Sequence, residues 1–141
     1  MNKKSHPSKA VSRLQDLTRE WVSLWCTPVR WDRFEALHSD DFEDCSPAGR
    51  APTKSGFADG LRALTAAFPD LQTTVEDLVV DSCHSKVAVR WSAVGTNVLP
   101  FLDIGPTNRR TRITGIELIE FADGRVIRRW GEWDISDHRA V

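Results

Sequence analysis

A chain of 141 residues has room for one domain with a substantial core and too little for two of ordinary size. Its 19 Lys and Arg stand against 20 Asp and Glu, and a net charge of -1 offers no long-range pull on a polyanion, so nucleic acid is not an expected partner. The three cysteines, Cys26, Cys45 and Cys83, form no CxxC pair and have no histidine at ligand spacing, which argues against a zinc site or a disulfide framework and fits reduced thiols in the cytoplasm.

Residues 1–10 are basic and lead into an amphipathic stretch rather than an uninterrupted apolar one, so they are expected to be a flexible tail, neither a signal peptide nor a membrane span. Residues 11–141 then form the single domain. Leu14, Leu17, Trp21, Leu24 and Trp25 recur at three- and four-residue steps and predict a first helix over 11–26. Thr27 as N-cap and Pro28 at the first helical position predict a second, carried by Val29, Trp31, Phe34 and Leu37 and broken at 38–40. A brief strand at 41–46 gives way to a loop with Pro47, Gly49 and Pro52, a composition that suits a flap at a site border. Thr53 caps a third helix through Phe57, Leu61, Leu64 and Phe68, stopped by Pro69.

Beyond Pro69 the texture is β: strands over 71–81 and 86–96, an irregular stretch over 97–108, then a long hairpin whose turn is Asp123-Gly124. Helices first and hairpin-linked strands after predict an α+β fold in which the helices cover one face of a curved antiparallel sheet. Strands 87–94 and 113–121 carry apolar residues at both parities, so the second face also needs a cover, and a second copy of the chain, a homodimer through the sheet face, supplies it.

The segments Asp41-Phe42, Ala67-Phe68-Pro69-Asp70-Leu71, Val87-Ala88-Val89-Arg90-Trp91, Gly95-Thr96, Pro106-Thr107 with Arg109-Arg110, and Thr114-Gly115-Ile116-Glu117 through Asp123-Gly124-Arg125-Val126 to Trp130 and Asp134 follow in an order and spacing that resembles the SnoaL-like polyketide cyclases of the nuclear-transport-factor-2-like superfamily. The resemblance covers nearly everything after residue 12. It implies an α+β cone around a mostly apolar pocket, usually in a dimer, and cyclase chemistry without cofactor or metal. In the founding cyclases an aspartate on the last strand is general acid/base for an intramolecular aldol closure, with a histidine near it on the preceding strand. Aligned on Asp123-Gly124, Gly131 stands where that aspartate falls and Glu117 where that histidine falls. Asn97 stands where many relatives have His, and Val98, Asp103 and Asn108 where many have Gly.

Within the hairpin, Glu117 lies among Ile113, Ile116, Leu118 and Ile119, while Arg129 and Glu132 alternate with Trp130 and Trp133. A carboxyl in an apolar pocket has its pKa raised by desolvation and suits proton transfer beside a carbonyl, which makes Glu117 and Glu132 the candidate acid/base groups acting on a small hydrophobic molecule. The other reading of Glu117 is a cross-strand ion pair with Arg129 or Arg90 that orders the sheet. Arg90 either orients an oxyanion or pairs with a carboxylate. Trp91, Trp130, Trp133 and Ile113 are candidate pocket walls, with Arg129, and with Asp44 at the mouth. Strand parity decides between Trp130 and Trp133, and a bulge at the turn would shift it by one. The carboxylates lack the His partners and spacing of a metal site, so no metal is expected. A binding or assembly module that kept the cone and lost the chemistry is the competing function.

Overall fold

The structure, a computed structural model, describes residues 8–135. In chain order these form α1 (Lys9–Ser23), α2 (Trp31–Leu37), β1 (His38–Asp44), α3 (Lys54–Ala67), β2 (Gln72–Asp81), β3 (Lys86–Thr96), β4 (Arg110–Ala122) and β5 (Arg125–Asp134). The expected tail at 1–7 lies outside the described residues. Residues 9 and 10, expected in that tail, open α1 instead, because the Ser8 hydroxyl accepts the Val11 N–H at 3.2 Å and caps the helix there. The α2 start differs from the expectation at Thr27-Pro28: the Thr27 N–H donates to the Leu71 carbonyl at 3.0 Å, which ties Thr27 to the strand entrance and delays the helix to Trp31. α3 has the expected Thr53 cap, its hydroxyl accepting the Gly56 N–H at 3.2 Å.

The five strands lie in the order β1-β5-β4-β3-β2. β2 to β5 pair antiparallel through hairpins, as their turn residues require. β1 pairs parallel with β5, so the sheet is mixed rather than wholly antiparallel as expected. Parallel neighbours need a long connection, and α3 with the three strands after it provides one. The sheet curves over the helices and is not closed. It remains the expected α+β architecture.

Burial alternates along the central strands. Val87, Val89, Trp91 and Ala93 of β3 and Ile113, Glu117, Ile119 and Phe121 of β4 are buried against the helices. Across from Trp91, Gly115 leaves the space that the indole occupies, since a Cβ there would overlap the ring. The other face leaves Val79, Ile116 and Leu118 exposed at 68%, 56% and 38%.

At the hairpin turn Asp123 and Gly124 have φ of 51° and 75°, the left-handed pair that a two-residue turn of this twist demands. Pairing passes from Phe121 with Val126 to Glu120 with Arg128, so Ile127 is an extra residue, a β-bulge. The bulge resets parity for the rest of β5. Trp130 faces Leu118 on the outer side, and Trp133 faces Gly115 on the inner side.

The inner layer is aromatic. Trp21 stacks on Phe57 with centroids 6.2 Å apart and meets Trp25 edge-on at 4.4 Å. His38 is embedded here: its Nε2 accepts the Trp21 indole N–H at 2.9 Å, so its Nδ1 carries the proton and donates to the Phe34 carbonyl at 2.7 Å. Burial lowers its pKa to about 4; nearby Lys54 adds to the effect, while the Phe34 carbonyl and Glu35 oppose it. An unfolded histidine protonates near 6.5, so between that pH and about 4 the unfolded chain binds the extra proton. Stability from this residue is therefore present above pH 6.5 and lost on acidification, by up to about 3 kcal/mol. A histidine NMR titration is expected to find His38 neutral, in the Nδ1–H tautomer, down to about pH 4; titration at the pH of a free imidazole would contradict the locked arrangement.

Candidate active site

Inward parity on β4 and β5 brings Glu117 and Arg129 together. Arg129 Nη2 donates to Glu117 Oε2 at 2.6 Å, and its Nη1 donates to Asp44 Oδ1 at 3.0 Å and to the Ser46 carbonyl at 3.1 Å. The guanidinium lies 5.3 Å over the Phe57 ring. Asp44, Glu117 and Arg129 are all at least 98% buried. The remaining Glu117 oxygen, Oε1, accepts the Trp133 indole N–H at 3.0 Å. Asp44 Oδ2 is held by Arg50 Nη2 at 2.9 Å, while the Ser46 backbone N–H reaches Asp44 Oδ1 at 3.0 Å and the Ser46 hydroxyl accepts the Gly131 N–H at 3.1 Å.

This network explains the glycine on β5. Gly131 pairs directly with Glu117, and a Cβ there would overlap Glu117 Oε2 and Arg129 Nη2. The ion pair occupies the volume that any side chain at 131 would need. Arg129 pays in desolvation for its buried charge, but Glu117 and Asp44 outweigh that cost and hold its pKa above the usual arginine value. For Glu117, burial dominates and pushes the carboxyl up; Arg129 and the two hydrogen bonds oppose the shift, and Asp44 adds to it. The two directions agree physically. Arg129 keeps its charge but shares it between two carboxyls, so the one taken furthest from water is drawn toward its neutral form.

Above the network is a cavity of about 420 Å³. Its floor includes Arg129, Gly131 and Trp133 from β5; α3 contributes Leu61 and Leu64, and the 46–50 and 100–102 loops form the rim. A narrow cleft of about 10 Å³ shares Trp25, Leu64 and Trp133 with this cavity and ends at Glu117, Trp91 and Ile113. That is room for about one water molecule. Trp91 and Trp133 meet edge-on there, centroids 5.2 Å apart.

The site residues expected from sequence thus divide. Glu117, Arg129, Asp44, Trp91, Trp133 and Ile113 converge on the inner side. Arg90 and Glu132 both pair with Ile116 and both are exposed; Arg90 therefore does not pair with Glu117, while Glu132 is also among the residues lining the cavity. Trp130 is outward, with the Lys86 ammonium 5.8 Å over its ring. The reason is the register: Glu117 and Ile116 are adjacent on β4 and point to opposite faces. Ser46 and Arg50 were not singled out from sequence. Their signal was their place in the Pro- and Gly-rich flap, which marks a site border without saying which side chain turns inward.

Asn97 is fully buried and organises the second rim: its side chain donates to the Leu99 carbonyl at 2.7 Å and accepts the Thr107 N–H at 2.8 Å. Asp103 and Asn108 take positive φ, 61° and 54°, the backbone geometry that Gly would otherwise supply. Among the described residues no group of three His, Cys, Asp or Glu converges as a metal site, and no helix is long and apolar enough to cross a membrane.

Three helices packed on an open five-stranded sheet make this an α+β cone protein. The chain belongs to the SnoaL-like polyketide cyclase family, whose family model matches residues 15–140. No curated protein sequence matches it. Among solved structures it is similar to AclR of Streptomyces galilaeus, a proposed hydroxylase, at 22% identity and a TM-score of 0.78, covering 92% of this chain and 83% of that one. It is similar also to IdmH of Streptomyces antibioticus, a proposed polyketide cyclase, at 25% identity and a TM-score of 0.76, covering 90% and 96%. A SnoaL-like protein of Jannaschia sp. CCS1 gives 20% identity and a TM-score of 0.78 over 92% and 91%.

Removing the shared cation strands two buried carboxyls. Arg129→Met is expected to destabilise the fold by about 3 to 5 kcal/mol, and Gly131→Ala, which overpacks the pair, by about 1 to 3 kcal/mol. Urea unfolding midpoints at constant m-value measure both, and a neutral Gly131→Ala would mean that the pair is not held as described.

Proposed function

We propose that this protein is a cofactor-free cyclase, or a closely related isomerase or hydrolase, acting on a small hydrophobic molecule with Glu117 as general acid/base. The observation that supports this most is the buried Glu117 carboxyl on the narrow cleft beside the cavity, its pKa raised by burial and its orientation fixed by Arg129 and Trp133. Membership in the family and the likeness to IdmH support cyclisation as the reaction class.

In an aldol closure the ionised Glu117 would take a proton from carbon next to a carbonyl, directly or through one water in the cleft. The enolate carbon then bonds to a second carbonyl of the same molecule, and the protonated carboxyl returns its proton to the new alkoxide. Arg129 is a positioning residue in this scheme. It cannot donate or remove a proton at this pH, but its bond to Oε2 fixes the carboxyl plane and leaves Oε1 toward Trp133 and the cavity. Arg90, on the outer face, has no part in it.

The second reading is a binding module without turnover. It is favoured by one observation: both Glu117 oxygens already have partners, and no aspartate stands at 131. Incubation with polycarbonyl aromatic and terpenoid libraries, followed by mass-resolved product analysis, separates the two. Wild type should convert at least one compound, and Glu117→Gln should lower that rate by about 10² to 10⁴ with ligand binding retained. Equal turnover in both would remove Glu117 from the mechanism, and binding without conversion would favour the module.

We propose too that the outer sheet face is covered by a second copy of the chain. Arg90 and Glu132 flank the exposed Ile116 on neighbouring strands, so a two-fold contact sets each against its opposite charge in the other copy. Sedimentation at micromolar concentration should give a dimer that Ile116→Lys dissociates, whereas a stable wild-type monomer would end this reading.

A further inference from the structure

Most of the cavity wall is apolar; its charged and hydroxyl-bearing residues are Arg50 and Ser46 of the flap with Arg129, and Glu132 of β5. Arg50 is held there by its surroundings. Its stem crosses α3 at Gly60, where a Cβ would come within 2.7 Å of Arg50 Cδ and 2.8 Å of Nε. Any larger residue at 60 would displace it from the wall. The guanidinium is part exposed, at 27% for the side chain, and donates from Nη2 to Asp44. Its Nε is buried with no hydrogen-bond partner, as is that of Arg129.

Asp44 is divided between two guanidinium groups, taking Arg129 on Oδ1 and Arg50 on Oδ2. Glu117 completes the balance only when ionised, and burial pushes its carboxyl toward the neutral form. A cavity walled by Leu61, Phe101 and Trp133 with the part-exposed Arg50 guanidinium at one edge suits an amphiphilic guest.

We propose that Arg50 is a specificity-determining residue, and that the substrate is an aromatic or polycyclic molecule carrying a carboxylate, or an equally acidic enol, which the Arg50 guanidinium receives while the rings lie over Trp133. An arginine fork gives a planar oxyanion directed, charge-assisted bonds that a neutral ester or amide cannot match. The inference deepens the functional reading above and rests on the cavity being the binding site.

The test pairs 9-anthracenecarboxylic acid with its methyl ester, titrated against the intrinsic fluorescence of Trp25 and Trp133, both of which line the cavity. Wild type should bind the acid at least about tenfold more tightly than the ester at pH 7. Arg50→Gln should abolish that preference, Arg50→Lys should keep part of it, and Gly60→Ala should lose it with the arginine still present. Thermal melts verify that each variant is folded. Equal wild-type affinity for acid and ester, or an acid preference that survives Arg50→Gln, overturns the proposal and leaves the cavity as a binding site. Binding of neither probe overturns the proposal and the cavity reading together, whereas loss of turnover in Glu117→Gln tests the catalytic reading alone.

Discussion

The buried guanidinium of Arg129 is the interaction on which the interior depends. It ties β1, β4 and β5 through Asp44 and Glu117 and lies over Phe57 of α3, so one cation connects the strand edge, the hairpin and the helical layer. Such a charge is tolerable in a protein interior when most of its donors are met, and here Asp44, Glu117 and the Ser46 carbonyl accept three hydrogen bonds from its two terminal nitrogens. The ordering of the 45–50 flap follows from the same bonds. Asp44 reaches on to Arg50, and Ser46 reaches across to the Gly131 N–H, so the rim of the cavity is built from the network that forms its floor.

That arrangement also accounts for what β5 lacks. An aspartate at 131, as the family resemblance would place it, has no room, because the facing position on β4 holds a glutamate already paired with arginine. A carboxyl stands instead across the ladder, on the strand before the last. The carboxyl on β4 is buried, lines a cleft with room for about one water, and shares its counter-ion with Asp44. Depth raises its pKa and shared charge keeps it from being lowered again. Burial and structural pairing of Glu117 are thus two aspects of one contact.

Much of the fold was legible in the chain because it is written in local chemistry. Thr53 and Pro69 bracket α3, Asp123-Gly124 supplies a turn that few other pairs can, and alternation in β3 and β4 points to a sheet with one face under helices. The start of α2 differed for a reason beyond local spacing. Thr27 could cap a helix by type, yet its N–H is engaged by Leu71, some forty residues on in sequence. β1 paired parallel to β5 for the same kind of reason, since no sequence-local turn links them and only the assembled sheet offers that edge.

By itself the sequence determined the α+β order, the hairpin and the presence of a carboxyl and an arginine within apolar strands, because period, turn type and composition act over a few residues. Only the tertiary structure decided which of those groups meet. Side chains alternate every residue along a strand, so the single extra residue at Ile127 chose Trp133 over Trp130 and Arg129 over Arg128 for the interior. The flap residues Ser46 and Arg50 join the site through contacts with partners far along the chain, and no spacing rule encodes such contacts.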